Sequence, residues 1–212
     1  MIQIDDAGSG SFVGGTCIGI YRAETQEYYF DFIPIELYNP QNFATKQYLN
    51  SVVDIVSVSF EKLNVSKNEQ IVFCKGYMFE LLEKWLSDSS YTWSKQHIDG
   101  TLQYIIEKNF EIYTIKLGVF KEYIKYTKYP FHFHKILRWV LADFDNRIGL
   151  CKTGWKCWQK YKDLKCDMYY EYLNKNNCYC LKCGKYIIPD NMAKVLKYTT
   201  NRENYIYMHE EC

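Results

Sequence analysis

MIQIDDAGSGSFVGGTCIGIY, residues 1–21, is the stretch that decides the fold. Ile2 and Ile4 are two apart and share one face of a short strand, which runs directly into Asp5 and Asp6. Gly8, Ser9, Gly10 and Ser11 turn the chain without steric cost, and a second strand follows over residues 12–21. The unit is a β-hairpin with two carboxylates at the C-terminal end of its first strand. Paired acids at such a place suit divalent-metal or phosphate chemistry. Asp also favours turns for its own sake, so the pair taken alone fits a solvated turn equally well.

The 212 residues, 48% apolar and 24% charged, describe a globular chain with one good-sized core and room for a small satellite. No apolar run is long enough to cross a bilayer, and the N-terminus lacks a basic-then-apolar signal, so the chain reads as soluble and unsecreted, without a membrane partner. Net charge is +1, but the two halves differ. Residues 1–115 hold 8 Lys+Arg against 15 Asp+Glu, and residues 116–212 hold 18 against 10. That asymmetry points the second half toward a polyanion, unless the halves compensate each other in the fold. Of nine Cys, seven fall at or after position 151. This clustering reads as zinc binding in a reducing cytoplasm rather than a disulfide scaffold.

Beyond the hairpin, residues 27–35 read as a third strand, and Asn39-Pro40 as a helix cap with proline at the first position. Leu49, Val52, Val53, Val56, Phe60 and Leu63 follow one face of a long helix. Residues 70–74, nearly all apolar, predict a strand covered on both faces. Met78, Leu81, Leu82, Trp85 and Leu86 mark a second helix, and Leu102, Ile105 and Ile106 a third, capped by Asp99. Residues 111–118 alternate as a fifth strand, and 121–129 form a basic, tyrosine-rich connection. After Pro130, Leu137, Val140, Leu141, Phe144 and Ile148 make the stripe of a last helix carrying Asp143 and Asp145.

This order, with Asp6-Ala7-Gly8-Ser9 closing the first strand and acids on the last helix, resembles the ribonuclease H-like superfamily. The Asp-x-Gly-Ser turn looks most like that of the Holliday-junction resolvases. The resemblance covers residues 1–150 in element order. It implies an α/β fold with a mixed five-stranded sheet flanked by helices, and two Mg²⁺ or Mn²⁺ ions between acids of the first strand, the fourth strand's end and the last helix. Carried over, Asp6 takes the first position with Asp5 beside it, and Asp143 or Asp145 the last. Those two are two apart and point about 200° from each other, so one of them faces the sheet; Asp143, beside Val140 and Phe144, is preferred. Where the family keeps its middle acid, this chain reads Cys74-Lys75-Gly76, with Glu80 and Glu36 as the nearest substitutes. His132 or His134 would shuttle protons or touch phosphate, or else pack beside Phe131 and Phe133.

Cys180-Leu-Lys-Cys183-Gly-Lys, followed by His209-Glu-Glu-Cys212 with twenty-five residues between Cys183 and His209, is a sharper signal. Cys-x2-Cys brings two thiolates to a tetrahedral site from one tight knuckle, and His-x2-Cys brings the other donors from a second element. The pattern resembles the first half of a LIM finger or another treble-clef knuckle. It implies structural zinc on Cys180, Cys183, His209 and Cys212, with Cys178 a spare thiol. Between the two parts, residues 151–165 interleave Lys152, Lys156, Lys160, Lys162 and Lys165 with Trp155, Trp158 and Tyr161. Cations in that pattern neutralise phosphates, and the aromatics either stack on bases or dock a helix on the core.

The expected organisation is a ribonuclease H-like domain over 1–150, a basic aromatic link over 151–175 and a zinc knuckle over 176–212. The function expected first is a metal-dependent nuclease acting on structured DNA or RNA through Asp6 and Asp143, supplemented by Asp5, Asp145, Glu36 or Glu80. The alternatives are a non-catalytic module holding nucleic acid through Lys75, Lys152, Lys156 and Lys160, or a zinc-knuckle adaptor for a protein partner.

Overall fold

The structure, a computed structural model, describes residues 1–125 and 129–212. Its centre is a five-stranded sheet in the order β3-β2-β1-β4-β5. The strands are β1 (Ile2–Ala7), β2 (Thr16–Arg22), β3 (Tyr28–Ile33), β4 (Ile71–Cys74) and β5 (Trp93–Gln96). β1, β2 and β3 are antiparallel neighbours, whereas β4 runs parallel to β1 and β5 parallel to β4. This mixed order is compatible with the ribonuclease H-like arrangement that the first strand resembles.

The sheet is covered on both faces, which is why β1 and β2 carry so few exposed residues. Ile2, Ile4, Ile18 and Ile20 meet one layer, built from α2 (Gln47–Lys62) and α3 (Glu80–Asp88). Asn39 caps a short α1 (Pro40–Ala44) as its side chain accepts from the Asn42 N–H at 2.8 Å. Lys46, in a left-handed conformation at φ 54°, separates α1 from α2. The opposite face, with Ala7, Cys17, Tyr21 and Val72, is covered by α4 (Thr101–Lys116) through Leu102, Ile106 and Phe110.

Here the chain departs from expectation. Residues 111–118 are not a strand: α4 runs through to Lys116, and Ile106, Phe110 and Thr114, spaced by four, are the buried residues. The fifth strand is β5, an edge strand with no apolar pattern, held by its backbone pairing to β4. Asp99 does not cap α4. The cap position is Gly100, and Asp99 pairs with His97 at 2.9 Å. Of the connection over 121–129, α5 takes Lys121–Ile124, and residues 126–128 lie outside the described residues.

The expected last helix is also two pieces. α6 (Phe133–Leu141) stops before Asp143, whose extended φ of −154° starts α7 (Phe144–Arg147) in a new direction. Residues 150–152 then lie against the β1–β2 loop: Gly14 N–H donates to Leu150 O, Lys152 N–H to Phe12 O, and Val13 bridges Cys151. α8 (Lys156–Gln159) docks by Trp158, which stacks on Phe12 at 5.1 Å. The aromatics of this link are therefore packing residues.

Beyond it, β6 (Asp167–Tyr172), β9 (Met192–Thr199) and β10 (Glu203–His209) form an antiparallel sheet in the order β10-β9-β6. β7 (Cys178–Tyr179) pairs with β8 (Tyr186–Ile187) to make the knuckle. β6 comes from the stretch expected as linker. Arg147, 7% exposed, fixes this unit to the rest: its guanidinium donates to Trp139 O, to Leu181 O at 2.9 Å and to Lys182 O at 2.6 Å, and lies over the Trp139 ring.

Candidate functional sites

β1 places its two acids differently because side chains alternate along a strand. Asp5 is 7% exposed; its carboxylate accepts the Asp6 N–H at 2.9 Å and meets the Cys74 thiol. Burial pushes its pKa up to about 6, the Asp6 charge adds to this, and the two hydrogen bonds oppose it. The same burial, together with Asp5, lifts the Cys74 thiol to about 12.

Asp6 stands where the strand opens into the turn. Burial raises its pKa too, against the hydrogen bonds of Ser9 and the charge of Lys152. Gly8 has φ +82° and lies so close to Phe110 that a Cβ would be 2.1 Å from the ring, so only glycine lets α4 approach this turn. Beside the turn opens a cleft of about 580 Å³, lined by Asp6, Gly8, Glu107, Lys108, Glu111 and Phe131 among others. Glu107 and Glu111 come from α4, one turn apart beside its buried stripe; Glu107 is exposed and accepts from Gln103 at 3.0 Å, and Glu111 ion-pairs with Lys108 at 3.2 Å.

The expected site residues are scattered. Asp143 ion-pairs with Lys182 of the knuckle at 3.8 Å and accepts from Asn146 at 3.0 Å. Asp145 is exposed on α7. Glu80 is exposed and paired with Lys46 at 2.7 Å, and Glu36 is exposed on a 3-10 turn. The exit of β4 does pass Asp6, since a Cβ on Gly76 would lie 4.0 Å from Asp6 Oδ1, but it brings glycine and not an acid. Lys75, Lys156 and Lys160 are exposed.

Lys152 is the exception among the expected surface cations. It is 0% exposed, its Nζ donates to Gly8 O at 2.6 Å and Thr16 Oγ1 at 3.2 Å, and it lies 4.6 Å from the Tyr38 ring centroid. Burial lowers its pKa to about 7, with Asp6 opposing. Lys152 therefore braces the turn from beneath and does not meet solvent.

Sequence reasoning missed Glu107 and Glu111. The signal that could have found them is the spacing of Leu102, Ile106 and Phe110, which continues the helix through the segment read as a strand. Asp6, Glu107 and Glu111 line this cleft without converging into an ion-sized cluster. Among the described residues, the one group of three or more Cys, His, Asp or Glu close enough to hold an ion unaided is elsewhere.

That group is Cys180, Cys183, His209 and Cys212, whose donor atoms all lie within 4.8 Å of one another. An ion with bonds of about 2.0–2.3 Å closes this span with small shifts. Tyr186 O lies 3.1 Å from His209 Nε2 and takes its proton in a hydrogen bond, which leaves Nδ1 as the ligating atom, 3.2 Å from Cys183 Sγ. The backbone N–H groups of Cys183 and His209 both donate to Cys180 Sγ at 3.4 Å. For Cys183, burial works against ionisation, but the Lys185 N–H and the other ligands outweigh it and bring its pKa down to about 7. Four donors of this kind form a possible metal site compatible with zinc. No protein-family model matches this chain, and no curated protein matches it.

Proposed function

We propose that this protein is a divalent-metal-assisted phosphodiesterase acting on nucleic acid, built on a ribonuclease H-like sheet and carrying a structural zinc knuckle. The observation that supports the reading is the cleft beside the β1 turn, which Asp6, Glu107 and Glu111 all line. Asp6 would give Mg²⁺ or Mn²⁺ its first carboxylate, and Glu107 and Glu111, which line the same cleft but form no ion-sized cluster with it, would reach the ion through water. The ion would supply Lewis acidity and an activated water. Ser9 orients the Asp6 carboxylate, Lys152 fixes the Gly8 turn, and Lys108 on the cleft wall attracts a phosphate. Nine thiols, none in a disulfide, suit a reducing compartment such as the cytoplasm. Among the described residues no helix is long and apolar enough to cross a membrane.

The test is cleavage of labelled DNA, RNA and branched substrates in Mg²⁺ or Mn²⁺. Asp6→Asn and the Glu107→Gln/Glu111→Gln pair are expected to lose at least about a hundredfold in rate, the scale of removing a group that stabilises developing charge, while Asp143→Asn retains activity. Cleavage that survives Asp6→Asn would overturn the reading.

A second reading is a binding module without catalysis. Two observations favour it: Cys74 and Gly76 stand where the middle acid is expected, and a buried lysine already faces Asp6. Salt-sensitive strand binding with no cleavage under any divalent ion would select it.

A further inference from the structure

Where α6 faces the turn between β9 and β10, a second cavity of about 540 Å³ opens between the sheet domain and the zinc unit. Five basic side chains line it: His132, His134, Lys135 and Arg138 from the start of α6, and Arg202 from the turn. No carboxylate is among its described lining residues.

Arg138 brings to this lining a buried donor that has no acceptor among the described residues. Arg138 Nη2 donates to Tyr205 O at 2.9 Å, yet its Nε N–H is buried with no partner. A buried donor left open in this way invites an acceptor. The His134 imidazole is held below its ordinary pKa, by burial first and then by the charges of His132 and Arg202. α6 starts here with no side chain capping its first N–H groups, so the helix end adds to the positive potential. Thr200 and Asn204 line the same cavity and supply neutral donors.

We propose that this cavity binds a phosphate group carried on a nucleic-acid strand. Cationic side chains approach from two separate elements, and a tetrahedral group with several acceptor oxygens uses donors from both, as a flat carboxylate does not. Nothing in this site depends on the acids near Asp6; only the choice of nucleic acid as carrier rests on the function proposed above.

The experiment is calorimetric titration of the zinc-loaded full chain with inorganic phosphate, beside titration with single strands bearing or lacking a 5′-phosphate. Arg202→Ala, on an exposed turn, is the fold-safe variant, and Arg138→Gln the buried one. Wild type is expected to bind phosphate in the millimolar range or tighter. Arg202→Ala should weaken this about tenfold, the loss of one charged hydrogen bond, and lower the salt slope of strand binding by about one. Absence of saturable phosphate binding, or binding unchanged in both variants, overturns the proposal. Phosphate binding lost in the variants while strand affinity stays constant overturns the nucleic-acid carrier. Asp6→Asn separates the two sites: loss of cleavage with phosphate binding intact supports both, whereas absence of any cleavage with this cavity still binding a strand removes the phosphodiesterase alone.

Discussion

Lys152 Nζ lies 2.6 Å from the carbonyl oxygen of Gly8, 144 residues earlier in the chain. The lysine is fully buried, with the Tyr38 and Trp155 rings at 4.6 and 5.0 Å as its aromatic neighbours. Its folded pKa of about 7 lies below the ordinary lysine value of 10.5. Between these values the folded amine has lost its proton while the unfolded one keeps it, so stability rises with pH across that window. Below it both states are charged and the cost of burial stays. Urea midpoints of wild type against Lys152→Met from pH 7 to 10 should show a rise present only in wild type, on the order of a few kcal/mol.

Asp5 gives the opposite slope. Its folded pKa of about 6 is above the ordinary aspartate value of 3.8, so between the two the folded state holds a proton that the unfolded state has released. Stability from this group is present below about pH 4 and is lost as pH rises through 6. Asp5→Asn keeps an acceptor for the Asp6 N–H and removes the charge. It should stabilise the fold at pH 7 by up to about 3 kcal/mol and do little at pH 4. A destabilised Asn variant at pH 7 would refute this account.

Purified protein should hold one zinc by elemental analysis, and Cys183→Ser should lose it. Because a structural zinc contributes on the order of 10 kcal/mol of folding free energy, chelation should unfold the β6–β10 unit and lower the melting temperature. Arg147→Met should reproduce part of that loss with zinc still bound, by about 3 kcal/mol, since it strips buried carbonyls of a charged donor.

Gly15 and Gly10 make a paired test. A Cβ on Gly15 would stand 1.8 Å from Ile33 O, a backbone atom of β3, whereas one on Gly10 meets nothing within 4 Å. Gly15→Ala is expected to cost more than about 3 kcal/mol, because sheet backbone must move, and Gly10→Ala should leave the midpoint within about 0.5 kcal/mol of wild type.

How much of this was legible follows from the reach of each interaction. The Cys180, Cys183, His209 and Cys212 cluster was legible because each pair is set by three residues of local spacing, and the place of Asp6 at the end of β1 because a strand ran into a turn. The sheet's first four strands were visible as apolar runs. β5 was not, because only Trp93 of its four residues packs on the core, and Ser94, Lys95 and Gln96 are held by backbone pairing to β4. Ile112 and Thr114 alternate with polar neighbours and imitated a strand, while the four-residue spacing of Phe110 and Thr114 is what the fold buries. Lys152 resembled its exposed neighbours Lys156 and Lys160 because its partners, Gly8 and Thr16, sit at the far end of the chain.

Arg147 grips the zinc knuckle, and Lys152, five positions later, props the turn that bears Asp6. One short rung thus serves as the hinge pin of two bodies that are remote in sequence. A shortened version ending before this rung would discard the tail and, with it, the scaffold under the first hairpin. Severing the chain on the far side, near residue 155, would spare that scaffold and leave Arg147 with only Trp139 to hold.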